Sequence, residues 1–120
     1  MPESSTTYRV QQGEYWKIEI SMRPEQDGPP DDLTGYTPSA SMRRAIDPDA
    51  ASQAITTTLV DDPDTGDPNR RVRCELLTST TRALKTGQYR FSVELEPPAG
   101  SEYTEVILTG TIEITRELTV

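Results

Sequence analysis

Carboxylates are the residues of this chain best placed to do chemistry. Asp61, Asp62, Asp64 and Asp67 crowd around Gly66 in the segment DDPDTGDPN. Hard oxygen ligands at alternate positions of a turn suit Ca²⁺, and Asp62, Asp64 and Asp67 form the candidate set. The spacing does not complete an EF-hand loop, and no Glu stands at the closing position. Aspartate is also favoured in turns because its side chain satisfies nearby backbone donors, so a solvated turn is the simpler expectation. Asp27, Asp31 and Asp32 in PEQDGPPDDL make a second, sparser cluster. A glycosidase-type site would need two acids flanking a cleft, one of them desolvated. Glu94 and Glu96, and likewise Glu105 and Glu113, fall instead on the outward parity of alternating runs. There they serve as a charged face that keeps a sheet soluble.

Several other chemistries are closed off. The chain has no histidine, which removes the commonest general base and the commonest transition-metal ligand. A Ser-His-Asp or Cys-His site therefore cannot be built within it, and no enzyme activity and no cofactor are expected. The single cysteine, Cys74, shares parity with Val72 and Leu76 and reads as a small buried hydrophobe, without an internal disulfide. A net charge of −8 repels phosphate backbones. Arg43 and Arg44, then Arg70, Arg71 and Arg73, lie in or beside predicted strands as a solvated face, so no nucleic-acid partner is expected. Trp16, Tyr89 and Phe91 run in phase with aliphatics and read as core. Tyr8, Tyr15, Tyr36 and Tyr103 fall outside the inward parity or near loops, and Tyr36 and Tyr103 are the better candidates for a contact surface.

The elements that must position these residues are strands. EYWKIEISMR places Trp16, Ile18, Ile20 and Met22 on one parity, with Lys17, Glu19, Ser21 and Arg23 on the other. GQYRFSVELE does the same with Tyr89, Phe91, Val93 and Leu95, and EVILTGTIEIT with Val106, Leu108, Ile112 and Ile114. Period-2 alternation gives each run one face toward a core and one toward water. The last two runs, joined by PPAGSEYT, read as an antiparallel hairpin, with Gly110 as a bulge or close packing point. TYRVQQ is a short strand broken at Gly13. YTPSASMRRAI puts Ala40, Met42 and Ile46 in phase, with Pro38 marking an edge or a pre-strand extension. QAITTTLV, with Ile55 and Leu59, and RRVRCELL complete the strand set. TSTTRALKTG reads as one helical turn with a Thr/Ser start and a Gly87 C-cap, Leu84 plugging the end of the sheet.

Seven or eight short strands between Pro/Gly/Asp turns, with one short helical turn, predict an all-β, antiparallel immunoglobulin-like β-sandwich; a small barrel is the structural rival. The length of 120 residues fits one domain, 1–120, with residues 1–7 as a flexible N-terminal arm. MPESSTTYRV carries no secretory signal pattern and no apolar run reaches bilayer-spanning length, so synthesis in the cytoplasm and no membrane partner are expected.

DDLTGYTPSASMRR, then RRVRCELLTSTTRALKTGQYRFSVELE, then TEVILTGTIEIT resembles, in order and spacing, a group of tailed-bacteriophage virion proteins. The group is similar to the N-terminal domain of phage baseplate upper proteins, and the likeness runs from about Tyr8 to Thr119. The resemblance implies an immunoglobulin-like sandwich and a structural, non-enzymatic role in the virion, in contact with other virion proteins. The acidic DPDTGDPN turn is longer than the family pattern, and the sequence ends at Val120 without a receptor-binding extension. These departures favour a stand-alone, multi-copy piece, a homo-oligomer of the tail and baseplate or a capsid cement or decoration protein. MPESSTT and the loop around Gly28, Pro29 and Pro30 are expected to reach a neighbouring subunit. A carbohydrate-binding module using Tyr36, Tyr103 or a Ca²⁺ turn is the alternative from another class, and a carboxylate hydrolase a more distant third.

Overall fold

The computed structural model describes residues 6–22, 31–47, 49–98 and 104–116. The alternating runs form strands β1 (Thr6–Gln11), β2 (Trp16–Ser21), β3 (Thr37–Arg44), β4 (Gln53–Val60), β5 (Arg71–Leu76), β6 (Gly87–Glu96) and β7 (Glu105–Thr115). A short helix α1 (Thr78–Ala83) lies between β5 and β6. The seven strands join in the order β1-β7-β6-β3-β4-β5-β2. The all-β expectation holds, but the sheet is mixed rather than wholly antiparallel, because β1 pairs with β7 in parallel, Thr6 opposite Gly110 through Gln11 opposite Thr115. Thr6 and Thr7 thus belong to a paired strand and not to an N-terminal arm; residues 1–5 of that expected arm lie outside the described residues.

The two ends of this order are chain neighbours. β1 and β2 are separated only by a tight turn that uses Gly13 at φ 86, a conformation open to glycine without steric cost. The sheet therefore curls until it is nearly closed. Tyr8 of β1 meets Trp16 of β2 edge-on with ring centroids 5.4 Å apart, and both rings stand 6.1 Å from Phe91. Tyr8 is thus part of the packed interior and not a loop-side tyrosine. β4 makes the corner: Gln53–Ile55 pair with β3, whereas Thr56–Val60 pair with β5. Pro38 sits inside β3 opposite Leu95. The ladder to β4 covers only Ala40–Met42, and Thr57 reaches back to donate its hydroxyl to the Pro38 carbonyl at 3.0 Å. A residue without an N–H is tolerated where the neighbouring strand has already turned away.

The interior follows the predicted parity along β2, β5 and β6. Val72, Cys74 and Leu76, and Tyr89, Phe91, Val93 and Leu95, are all buried, with Trp16, Met42, Ile55, Ile112 and Ile114. Burial pushes the Cys74 thiol up to about 11, so at neutral pH it stays protonated and acts as packing. Two residues depart from their expected side. Val93 pairs with Leu108 but Glu94 pairs with Val106, so Ile107 is an extra residue in β7. This bulge reverses the alternation and turns Val106 outward, 54% exposed. Ile46 lies past the end of β3 in a turn and is 82% exposed. Gly110 is the close packing point, the bulge lying elsewhere. A Cβ there would stand 2.6 Å from the Thr6 carbonyl oxygen and 2.7 Å from the Phe91 ring.

Helix α1 closes one end. Leu77 leads into it in extended conformation without a side-chain cap, and it stops at Leu84, also extended. Gly87 is therefore not its C-cap; its φ of 136 opens β6 beside the Arg44 guanidinium. Thr81, fully buried, donates its hydroxyl to the Glu14 carbonyl at 2.8 Å and accepts the Gly13 N–H at 3.0 Å. Gln12 donates to the Leu84 carbonyl at 2.7 Å. These bonds tie the helix to the β1–β2 turn, while Leu84 packs against the core as expected.

On the outer face of β2 and β5, Glu19 lies 2.9 Å from Arg73, 3.4 Å from Arg71 and 3.9 Å from Lys17. Burial works to raise the Glu19 carboxyl, but the hydrogen bond and charge of Arg73, with Lys17 and Arg71, outweigh it and hold the pKa below its usual value.

Three outcomes are expected in urea unfolding. Phe91→Ala should cost about 3–5 kcal/mol, and a loss under ~1 kcal/mol would contradict the packing described. Gly110→Ala should cost ~2 kcal/mol or more, since the nearest obstacle is backbone, whereas Glu94→Ala should change stability by less than ~0.5 kcal/mol. The depressed Glu19 pKa adds stability above its unfolded value near 4.5 that is lost as pH falls through the lower folded value. Glu19→Gln should therefore be less stable than the parent at pH 7, with the gap closing as pH drops below about 4.5.

Candidate functional site

The end of the sheet opposite α1 gathers most of the candidate residues. Two loops meet there, the Asp31–Tyr36 segment before β3 and the Asp61–Arg70 segment between β4 and β5. Leu33 is buried and donates its N–H to the Asn69 carbonyl at 2.8 Å. Arg70 pairs with Asp32 at 2.8 Å, and Asn69, held at a φ of 55, donates its side-chain amide to Thr34 Oγ1 at 3.1 Å. Asp32 also accepts the Thr34 hydroxyl and N–H at 2.7 and 3.0 Å. The Thr34 bonds, with Arg70, hold its carboxyl below the usual range. The loops are thus latched together rather than merely adjacent.

Between them and β6 lies a cleft of about 390 Å³. Met22, Leu33, Tyr36, Leu95 and Pro97 give it apolar walls, and Asp31, Asp32 and Glu105 give it carboxylates. Tyr36 stands half-buried in the wall of this cleft, beside the acids. Tyr103, Asp27 and the Gly28-Pro29-Pro30 loop lie outside the described residues. Tyr15 is exposed at the other end and donates its hydroxyl to Glu75 at 2.5 Å.

The acidic turn is organised by its own donors. Asp62 is buried; its Oδ1 accepts the Asp64 N–H at 3.0 Å and its Oδ2 the Thr65 hydroxyl at 3.3 Å. Gly66, at φ 79, donates to the Asp62 carbonyl at 2.7 Å, and Asp62 N–H donates to the Asp67 carbonyl at 2.9 Å. Asp61, Asp64 and Asp67 are not gathered behind it: Asp64 and Asp67 stay exposed. Among the described residues, no group of three or more Asp, Glu, Cys or His side chains is arranged to share a metal ion. Glu96 and Glu105 are exposed, Glu94 is half-exposed, and Glu113 pairs with Arg9 at 3.5 Å. Among the described residues no helix is long and apolar enough to cross a membrane.

The latch itself was hidden from the sequence. Asp32 and Leu33 stand far along the chain from Asn69 and Arg70, and only the L-T-G-Y turn, with Gly35 at φ 90, hinted at a structured loop.

Asp62→Ala should lose roughly 1–2 kcal/mol through its buried acceptor bonds, with Asp64→Ala and Asp67→Ala within ~0.5 kcal/mol. Thermal melts with and without millimolar Ca²⁺ check the metal alternative: a Ca²⁺-dependent rise in Tm abolished by Asp64→Ala would make the turn a site. No protein-family model and no curated protein matches this chain in sequence.

Proposed function

We propose that this chain is an immunoglobulin-like sandwich serving as a non-enzymatic, multi-copy structural component of a tailed-phage virion, in the tail and baseplate or as a capsid cement or decoration protein. What carries the reading is that the blocks bearing the family resemblance coincide with the framework of the fold. DDLTGY supplies the latched loop before β3, TSTTRALKTGQY the helix and the start of β6, and the central glycine of the last block is the close packing point at Gly110.

The sandwich part of the proposal rests on β4. Because it leaves β3 to join β5, the strands divide into a β1-β7-β6-β3 group and a β4-β5-β2 group. Tyr89, at the start of β6, donates its hydroxyl to the Lys85 carbonyl at 2.9 Å. That bond has the form of the tyrosine corner found where immunoglobulin-like sandwiches turn between sheets. The structural role is supported by chemistry as well. The chain offers no histidine, its thiol is buried and protonated, and among the described residues its acids lie in turns, on outer faces or around the open cleft.

One observation favours a second reading, carbohydrate binding. Tyr36 with Asp31, Asp32 and Glu105 around a cleft of about 390 Å³ combines an aromatic platform with hydroxyl-accepting carboxylates, the chemistry of a saccharide site.

Immunogold labelling of phage particles tests the first reading: label over the head means decoration, label at the tail tip means baseplate, and unlabelled particles overturn it. A glycan array tests the second. Binding there that is lost in Tyr36→Ala, with labelling absent, would replace the virion reading by the carbohydrate one.

A further inference from the structure

The outward face of β3 and β6 is sorted by charge along its length. Arg43 stands directly opposite Arg90, Ser41 opposite Ser92, Ser39 opposite Glu94 and Thr37 opposite Glu96. One end is therefore doubly basic, the middle is serine, and the other end is acidic. Like charges directly opposite on antiparallel strands oppose each other, and here the pair sits on a protein of net charge −8. A shallow depression of about 320 Å³ lies between Arg43, Ser52 and Arg90, and a smaller one of about 110 Å³ between Ser39, Ser92 and Glu94. The bulge in β7 adds Val106, 54% exposed, to the acidic end opposite Glu94.

Such a face is complementary to itself. Turned through 180° about an axis that lies in the interface and crosses the strands at Ser41 and Ser92, it sets Arg90 over Glu94 at both ends, with Arg43 alongside on the neighbouring strand. At roughly 3.3 Å per residue, Arg90 and Glu94 lie about 13 Å apart along the strand, so both contacts form together without bending either sheet. The small serines let the two sheets approach, and the depressions leave room for the long side chains of the facing copy. We infer that this chain self-associates as a two-fold, face-to-face dimer through β3 and β6, with Arg43 and Arg90 of one copy against Glu94 and Glu96 of the other. A two-fold contact of this kind is isologous and closes on itself. The ten-residue β6 and its neighbours offer roughly 600 Å² per copy, at the weak end of specific interfaces. The dimer is accordingly charge-steered, salt-sensitive and of modest affinity. It stands independently of the virion reading, since a dimer can form in a protein that labels no particle.

Sedimentation equilibrium of the full chain at 50 and 500 mM NaCl tests this. The parent should dimerise, with Kd weakening about tenfold or more at the higher salt. Arg43→Glu with Arg90→Glu, and separately Glu94→Arg with Glu96→Arg, should each be monomeric, and their equimolar mixture should dimerise again because one contact is then native and the other is restored with reversed sign. That recovery excludes misfolding as the cause of the loss. A parent that is monomeric at millimolar concentration, double variants that still dimerise, or a mixture that stays monomeric would each overturn the inference.

Discussion

The close approach at Gly110 is the constraint on which the rest of this architecture depends. Gly110 faces Phe91 across the β6–β7 ladder and Thr6 across the β1–β7 ladder. With no side chain there, the Phe91 ring can approach the backbone of β7 closely, and β1 can pair along the other side. That pairing brings Tyr8 over Phe91, and the tight turn after β1 brings Trp16 against both. Three rings from the first, second and sixth strands thus meet at one point, joining the two ends of the sheet order. Aromatic contacts of this geometry add to what their buried area supplies, and here they also decide topology. A side chain at position 110 would push either the ring or the first strand away and reopen the sheet.

From that point the remaining features fall into place at the two ends. At one end Thr81 is buried because the turn linking β1 and β2 must run beneath the helix, and its hydroxyl satisfies one donor and one acceptor of that turn. At the other end, among the described residues, the loops close on one another through Leu33, Asn69 and the Asp32–Arg70 pair. Buried backbone groups need partners, and the two ends solve this with different materials, a threonine in one case and a latched pair of loops in the other. The cleft beside Tyr36 lies between the latched first loop and the end of β6.

Much of this was legible in the sequence where one face is strictly apolar. Val72-Cys74-Leu76 and Tyr89-Phe91-Val93-Leu95 could lie only one way, because a one-residue slip would expose the whole set. The run Val106-Ile107-Leu108 carries no such information. With three apolar residues in succession, either parity buries something, and the position of the bulge is decided by pairing with β6. Ile46 misled for a different reason: alternation continues in the letters after the strand has stopped, since nothing in Arg-Arg-Ala-Ile marks the end of a ladder. Gly110 was legible as either a bulge or a close packing point, but its partner Thr6 was not, because a parallel pairing between the first and last strands leaves no local signal. The same holds for the latch, whose members are remote in sequence, and for Asp62, whose burial sets it apart from its equally acidic neighbours.

The two outer faces of the molecule show how charge placement can separate a surface that supports folding from one that seeks a partner. Opposite signs alternate on β2 and β5, so that Glu19 is bracketed by Lys17, Arg71 and Arg73 and the face neutralises itself. Partly buried, clustered pairs of this kind strengthen the protomer and leave little field beyond it. On β3 and β6 the signs are segregated, basic at the helix end and acidic at the cleft end, with small residues between. Segregation sets like charges side by side and projects a field with direction. A face with that polarity is complementary to its own reverse, and it is on this polarity, rather than on the cleft or the acidic turn, that the proposed dimer rests.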